Sequence, residues 1–300
     1  MNDATPPSSR ANVERIDDRL GLAVCRVGLS GRTLVTYARD HVSVRTPSKP
    51  DAMDANTIDL EATPVPEDLE GWVERFGETV GILGARHVQL RWESGVSEDT
   101  SSQVPELDPY LAASAGALGM RVLPRMVLLL DELDEPPRAM GDIVPVAPPA
   151  GVPGGAVDRR WHGARVLYRY MEGEDPDAWR EVDESMIAWN LEVQREMALG
   201  ERCQVWLTMR HGGPVARLHV VHDQQGLAAV EDVVTHPVVR RSGIAAALTY
   251  QAVRTHLAAH GESRVGIVVE PGSAGDRLAR RLGFAPHAVV WTALRGAGSA

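Results

Sequence analysis

Two kinds of apolar pattern alternate along this chain. Short unbroken or two-periodic apolar runs predict strands, and stretches with apolar residues three or four apart predict amphipathic helices. On that basis residues 20–27, 33–44, 87–92 and 126–130 read as strands, and the Pro-, Asp- and Ser-rich residues 46–57 as a loop. A helix is expected over 67–83, opened by Pro66 and closed near Gly84, and a second over 109–118. In the second half, strands are expected at 164–171, 204–210, 215–222, Leu227–Thr235, 264–270 and 287–294. Helical pattern starts at the capping Asp175 and Pro176 and runs to about Leu199 with one break near Asn190. It returns over 240–260, ended by Gly261, and over 273–282. His211-Gly212-Gly213-Pro214 is a hairpin signal. Residues 136–157, PPRAMGDIVPVAPPAGVPGGAV, are too rich in Pro and Gly for a packed element and predict a linker over 136–159. The chain thus divides into a polar tail (1–17), one domain over 18–135 and another over 160–300. Antiparallel meanders combined with helices give an α+β architecture.

The most informative junction follows the run Leu227–Thr235, which Pro237 ends. Arg240, Arg241, Ser242, Gly243, Ile244 and Ala245 come next, and Ile244, Ala247, Leu248 and Ala252 begin a helix face. The first turn of a helix has amides without intrahelical partners and a partial positive charge, so it binds phosphate well. Gly243 and Ala245 would let a phosphate approach the backbone, and the two arginines add charge. A dinucleotide-binding loop needs three glycines at set spacing, and this loop has one.

Arg240, Gly243 and Ala245 fill the fixed positions of the Q/R-x-x-G-x-G/A motif, and Glu231-Asp232-Val233-Val234-Thr235-His236-Pro237 is similar to an E-x-L-x-V-x-P strand. Both motifs resemble the GNAT superfamily of acyl-CoA-dependent N-acyltransferases. Leu278, Gly283 and Phe284 match that family's L-Y-x-x-x-G-F motif, while Ala279 stands in place of the tyrosine and Gly272 in place of a common asparagine. The resemblance implies a largely antiparallel sheet flanked by helices. It also implies acetyl-CoA, or another short acyl-CoA, as co-substrate, its pyrophosphate held by residues 240–245. The pantetheine arm would be aligned by the backbone of Val233, Val234 and Thr235, on a strand that splays from its neighbour, and Glu231 would be the general base. Strict alternation would turn Asp232 to the opposite strand face. His219, His222 and His211 read as structural or solvated, His236 as a surface-turn histidine that could alternatively be a base, and Trp179 and Trp189 as core residues that could also border an acceptor. The acidic runs 131–135 and 172–177 read as solvated faces that could attract a cationic amine. There is an internal echo as well: 87–92, a helix, Leu118-Gly119-Met120 and 126–130 parallel 264–270, a helix, Leu282-Gly283-Phe284 and the last strand. The N-terminal half is therefore expected to be a degenerate, second GNAT-like fold. It lacks a phosphate loop, because Thr63-Pro64-Val65-Pro66 precedes its helix.

Composition adds boundaries. Three hundred residues with a formal charge of -10 argue against a nucleic-acid partner. Lys49 is the only lysine, so the basic charge is almost all arginine. Cys25 and Cys203 lie in strand-like runs and suggest neither a disulfide nor a metal site. With no signal-like N-terminus and no long apolar run, the expectation is a cytoplasmic protein with no membrane partner, monomeric by weak preference. Function is expected to be acyl transfer to a small-molecule or peptide amine by direct attack in a ternary complex. The alternatives are a non-catalytic acyl-CoA- or ligand-binding module, and other chemistry on an acyl thioester.

Overall fold

A computed structural model describes residues 19–29, 32–96, 104–136, 142–146, 154–168, 184–261 and 263–296. The chain forms two compact units that exchange segments. Among the described residues, those within 19–26, 32–125 and 287–296 build one, and those within 27–29 and 126–286 the other. These cuts differ from the division into 18–135 and 160–300 suggested by composition.

The first unit contains α1 (Leu20–Val27), β1 (Leu34–Tyr37), β2 (His41–Arg45), β3 (Thr57–Leu60), α2 (Leu69–Thr79), β4 (Val88–Gly95) and α3 (Pro109–Ala117). Its strands run in the order β1-β2-β3-β4-β11, where β11 (Phe284–Arg295) comes from the far end of the chain. Only β3 and β4 are parallel, joined through α2. The second unit takes β5 (Arg121–Leu130) from Met126 onward, then β6 (Asp142–Pro145), α4 (Gly154–Tyr168) and α5 (Glu184–Leu199). It continues with β7 (Cys203–Arg210), β8 (Gly213–His222), β9 (Leu227–Thr235), α6 (Ile244–His260), β10 (Arg264–Val269) and α7 (Ala274–Arg281). Its strand order is β5-β10-β9-β8-β7-β6, and again a single parallel pair, β9 and β10, is joined through a helix. The sequence β-β-β-α-β-α therefore occurs twice, which is the expected internal echo. In each copy the strand that closes the pattern comes from the other half of the chain. The expected tandem, mixed and largely antiparallel α+β organisation is present.

Several local expectations are corrected. Residues 20–27 form a helix instead of a strand: Leu20, Ala23, Val24 and Val27 are buried at i, i+3, i+4 and i+7. An eight-residue apolar run fits both patterns. Residues 164–168 belong to α4, where Trp161, Ala164, Leu167 and Tyr168 are buried at helical spacing while Arg165 and Val166 are exposed. Residues 33–44 are two strands joined at a turn, with the Ala38 amide donating to the His41 carbonyl at 2.9 Å. The expected loop 46–57 leads into β3, whose four residues are all buried. Asp59 interrupts its apolar pattern and hid it from the sequence reading. The Pro/Gly-rich linker expected over 136–159 contains β6, paired with β7 from Asp142↔Met209 to Pro145↔Trp206, and the first turns of α4. Proline at the end of an edge strand forfeits no ladder bond. Helix α5 runs unbroken through Asn190, carried by Ile187, Leu191, Gln194 and Met197 on its buried face. Asp175, Pro176, Trp179, the acidic run 172–177 and the tail 1–17 lie outside the described residues. Among the described residues no helix is long and apolar enough to cross a membrane.

Candidate active site

Strand β9 is apolar and fully buried from Leu227 to Val230, where it pairs with both neighbours. Its parallel register with β10 ends at Val230↔Ile267, while pairing with β8 continues to Thr235. The strand thus opens on its β10 side over residues 231–235, the splay expected from sequence. Beyond it, Pro237–Val239 makes a single 3-10 turn, and His236 accepts a hydrogen bond from the Val238 amide at Nδ1 (3.3 Å). Arg240 donates from Nε to the Thr235 carbonyl (3.2 Å), and the Ser242 hydroxyl donates to Val239 O (2.5 Å). Arg241 and Gly243 have φ of 62° and 80°. The left-handed turn at Gly243 starts α6, and no atom lies within 4 Å of where its Cβ would stand. Ile244 is buried and anchors the helix, while Arg240, Arg241 and Gly243 are exposed. The result is an exposed helix N-terminus preceded in the chain by two exposed arginines, a combination that favours phosphate.

The acid end of the site sits one turn of chain earlier. On β8 the register slips between Arg217↔Val234 and His219↔Glu231, so β9 carries one extra residue there. Asp232 takes the strain, with φ of 53°. Aspartate tolerates the left-handed region better than most residues do. This bulge cancels the expected alternation: Glu231 and Asp232 both reach one imidazole. Glu231 Oε2 lies 3.1 Å from His219 Nε2, and Asp232 Oδ2 lies 3.3 Å from His219 Nδ1. The expectation that the two acids face apart is thus overturned by the bulge.

Around Asp232 the packing is polar and dense. The Tyr168 hydroxyl and the Gln194 amide (3.1 Å) both donate to its Oδ2, and Gln194 also donates to Tyr168 (2.7 Å). Arg217 is fully buried at 0% exposure; it donates to Gln194 Oε1 (3.0 Å) and Ala164 O (3.3 Å) and lies 3.5 Å from Asp232. Its guanidinium stacks 3.9 Å from the centre of the Tyr168 ring. Burial works to raise the Asp232 pKa, but His219, Arg217 and the donors from Tyr168 and Gln194 outweigh it and hold the carboxyl below its ordinary value. Burial and the Asp232 charge push the Tyr168 hydroxyl well above its ordinary range, so it stays a neutral donor. The Glu231 side chain is 34% exposed, and Gly28 abuts it so closely that a Cβ there would lie 2.6 Å from Oε1.

Of the residues expected from sequence to form the site, Glu231, Val233, Val234 and Thr235 lie at one end of β9, Arg240, Arg241, Ser242 and Gly243 in the turn that follows, and Ile244 and Ala245 at the start of α6. Sequence reasoning missed Tyr168, Gln194, Arg217, His219 and Asp232 as a group. One signal was available: Arg217 and His219 stand two apart within the mostly apolar run of β8, and so share a face. Trp189 is half-buried against the cluster of Trp161, Leu167, Leu191 and Val205, in the packing role expected of it. Ala279 is 1% exposed, so the position of the family's tyrosine is sealed and has no hydroxyl. Gly272, at φ of 72°, donates its amide to Asp276 (2.8 Å). Among the described residues no group of three or more His, Cys, Asp or Glu is arranged to hold a metal ion.

Residues 165–284 match the model of the acetyltransferase (GNAT) family. Solved structures with the same fold include a conserved protein of unknown function from Staphylococcus epidermidis, with a TM-score of 0.63 and 13% identity, covering 87% of this chain and 92% of that one. A GCN5-related N-acetyltransferase from Kribbella flavida has a TM-score of 0.57 and 18% identity, covering 94% and 95%. A GCN5-related N-acetyltransferase-like protein from Streptococcus suis has a TM-score of 0.51 and 12% identity, covering 95% and 97%. No curated protein matches the chain.

Proposed function

We propose that this chain, with a GNAT acetyltransferase domain over residues 165–284, transfers an acetyl or other short acyl group from acyl-CoA to an amine in a ternary complex. The observation that carries the reading is that β9, unpaired with β10 beyond Val230, carries the half-buried carboxylate of Glu231 at the start of that opening and leads on into the exposed N-terminus of α6. Arg240, Arg241 and the first amides of α6 would hold the pyrophosphate. The unpaired side of Val233, Val234 and Thr235 would align the pantetheine and offer donors to the oxygen of the tetrahedral intermediate. Glu231 would take a proton from the acceptor ammonium, and the freed amine would attack the thioester carbonyl. The sealed Ala279 supplies no acid, so the departing thiolate would take the second amine proton.

Calorimetry with acetyl-CoA on the wild type and Gly243→Asp tests the site. Gly243 lies in open space, so the variant should fold while placing a carboxylate where the pyrophosphate would lie. Expected are micromolar binding by the wild type and a loss of about a hundredfold or more in the variant, roughly 3 kcal/mol. No binding of acetyl-, propionyl- or free CoA by the folded wild type would end the reading. Glu231→Gln should lower kcat by about 100-fold or more while leaving acetyl-CoA binding intact.

A second reading draws on Ala279: a domain without that hydroxyl could bind acyl-CoA as a sensor or partner-binding module. Turnover of acetyl-CoA across a panel of amines separates the two, and binding without any acylated product would favour the module.

A further inference from the structure

The wall beneath Glu231 holds more ionisable groups than one base requires. His219 is 2% exposed, and each of its ring nitrogens faces a carboxylate oxygen. A neutral imidazole has one N–H and one lone pair, so it can donate to only one of the two. Asp232 decides which. Arg217 stands 3.5 Å away, and Tyr168 and Gln194 both donate to it, so Asp232 is a fixed anion and takes the Nδ1–H. The Nε2 lone pair then points at Glu231 from 3.1 Å. A lone pair against an ionised carboxylate at that distance repels. The contact becomes attractive once a proton lies on either partner.

We propose that Glu231 and His219 accept the proton as one pair, with Glu231 touching the acceptor amine and His219 acting as a positioning residue that shares the proton. This rests on the acyl-transfer reading. The ammonium R–NH3+ gives a proton to Glu231, and the electron pair of that N–H bond becomes the nucleophile. The new C–N bond forms at the thioester carbonyl, the C–S bond breaks, and the second amine proton leaves with sulfur as the CoA thiol. The pair then releases its proton to water. Ammonium plus thioester thus gives amide, thiol and one proton.

The other groups facing the pair do not compete for that proton. The Tyr168 hydroxyl on α4 and the Cys203 thiol on β7 are both pushed up, by burial first and then by Asp232 and by Glu231 respectively, and stay neutral. Arg217 on β8 is a permanent cation. Gln194 on α5 does not titrate, and its amide lies 3.4 Å from Nδ1, on the Asp232 side of the ring.

Nitrogen-15 NMR of histidine-labelled full-length protein reads the pair directly, without turnover. Expected near neutral pH is a proton on Nδ1, facing Asp232, and an Nε2 resonance that reports a proton shared with Glu231. Glu231→Gln should change the Nε2 resonance and leave the proton on Nδ1, because the carboxylate that faces Nε2 at 3.1 Å has gone. A bare Nδ1 with a protonated Nε2, or an Nε2 resonance indifferent to Glu231→Gln, would overturn the proposal. In the activity assay His219→Asn should lower kcat about 10- to 100-fold, leave acetyl-CoA affinity unchanged and move the acid limb of the pH–rate profile. A folded variant with an unmoved acid limb would count against the proposal. Failure of acetyl-CoA to bind would remove the acyl-transfer reading alone, since the NMR result decides the shared proton independently.

Discussion

Two glycines in the second unit both have a left-handed backbone, yet substitution should affect them differently. At Gly283 φ is 89° and an added Cβ would overlap the Glu132 carbonyl oxygen. The same segment is tied by the Asp131 amide to Gly283 O (3.1 Å) and the Asp134 amide to Leu282 O (3.2 Å). Gly283→Ala should therefore cost about 3 kcal/mol or more and lower the melting temperature by several degrees. At Gly243 there is open space, so alanine pays only the left-handed strain, about 1–2 kcal/mol. Thermal melts of the two alanine variants side by side check the contrast. Both glycines were visible in the sequence because family motifs named them. Asp232 was not, because strand alternation is the default expectation and nothing in the letters E-D-V-V marks a bulge. His219 and Arg217 stayed hidden for the same reason: their role depends on which face the bulge turns towards them.

At the scale of elements, α6 ends in a second histidine group with no part in the site. His256 and His260 on the helix and His222 on β8 pack together with ring centres 4.4–5.4 Å apart. His256 is buried, its Nε2 has no partner, and burial, then His260 and His222, push its pKa from 6.5 to about 4. His222 is lowered as well, first by burial and then by His260. Depressed histidines bind protons more readily when unfolded. Stability is therefore full above about pH 6.5 and falls as pH drops towards 4. Denaturant titrations at steps across that window should show the decline, and His256→Gln should flatten much of it. The elements themselves were unevenly legible. Long periodic segments such as β9 and α6, and the hairpin at His211-Gly212, where both φ values are positive, stood where expected. The eight-residue α1 and the end of α4 did not, since short apolar runs fit either period. Strand β6 was masked by the prolines around it.

For the whole molecule, the repeated β-β-β-α-β-α pattern makes one half a natural control for the other. Where β9 carries the bulge and the half-buried carboxylate, β3 carries Asp59, 1% exposed and clamped by Arg91 (2.7 and 3.1 Å) and Arg26 (2.6 Å). The 3-10 turn Pro66–Asp68 that leads into α2 has no glycine. On the acyl-transfer reading the first unit should hold no acyl-CoA, and acetyl-CoA should occupy one site per chain by calorimetric stoichiometry. The exchange of strands has its own test. A fragment of residues 160–300 lacks β6 and the β5 partner of β10, paired from Met126↔Val269 to Leu129↔Gly266. It should give collapsed NMR spectra, whereas residues 126–286 should give dispersed ones. Sequence predicted the duplication but not the exchange, because local pattern is silent about which distant strand completes a sheet.

That exchange also sets a clock during synthesis. Trp92 on β4 pairs with Trp291 on β11, about 200 residues later in the chain. At about 5–20 residues per second, ribosomes leave β4 without that neighbour for roughly 10–40 s. The half of the protein that is made first is therefore finished last. A message cut short near its end would release a chain whose second unit is whole and whose first presents an open strand edge, the form most prone to aggregate and most exposed to proteases.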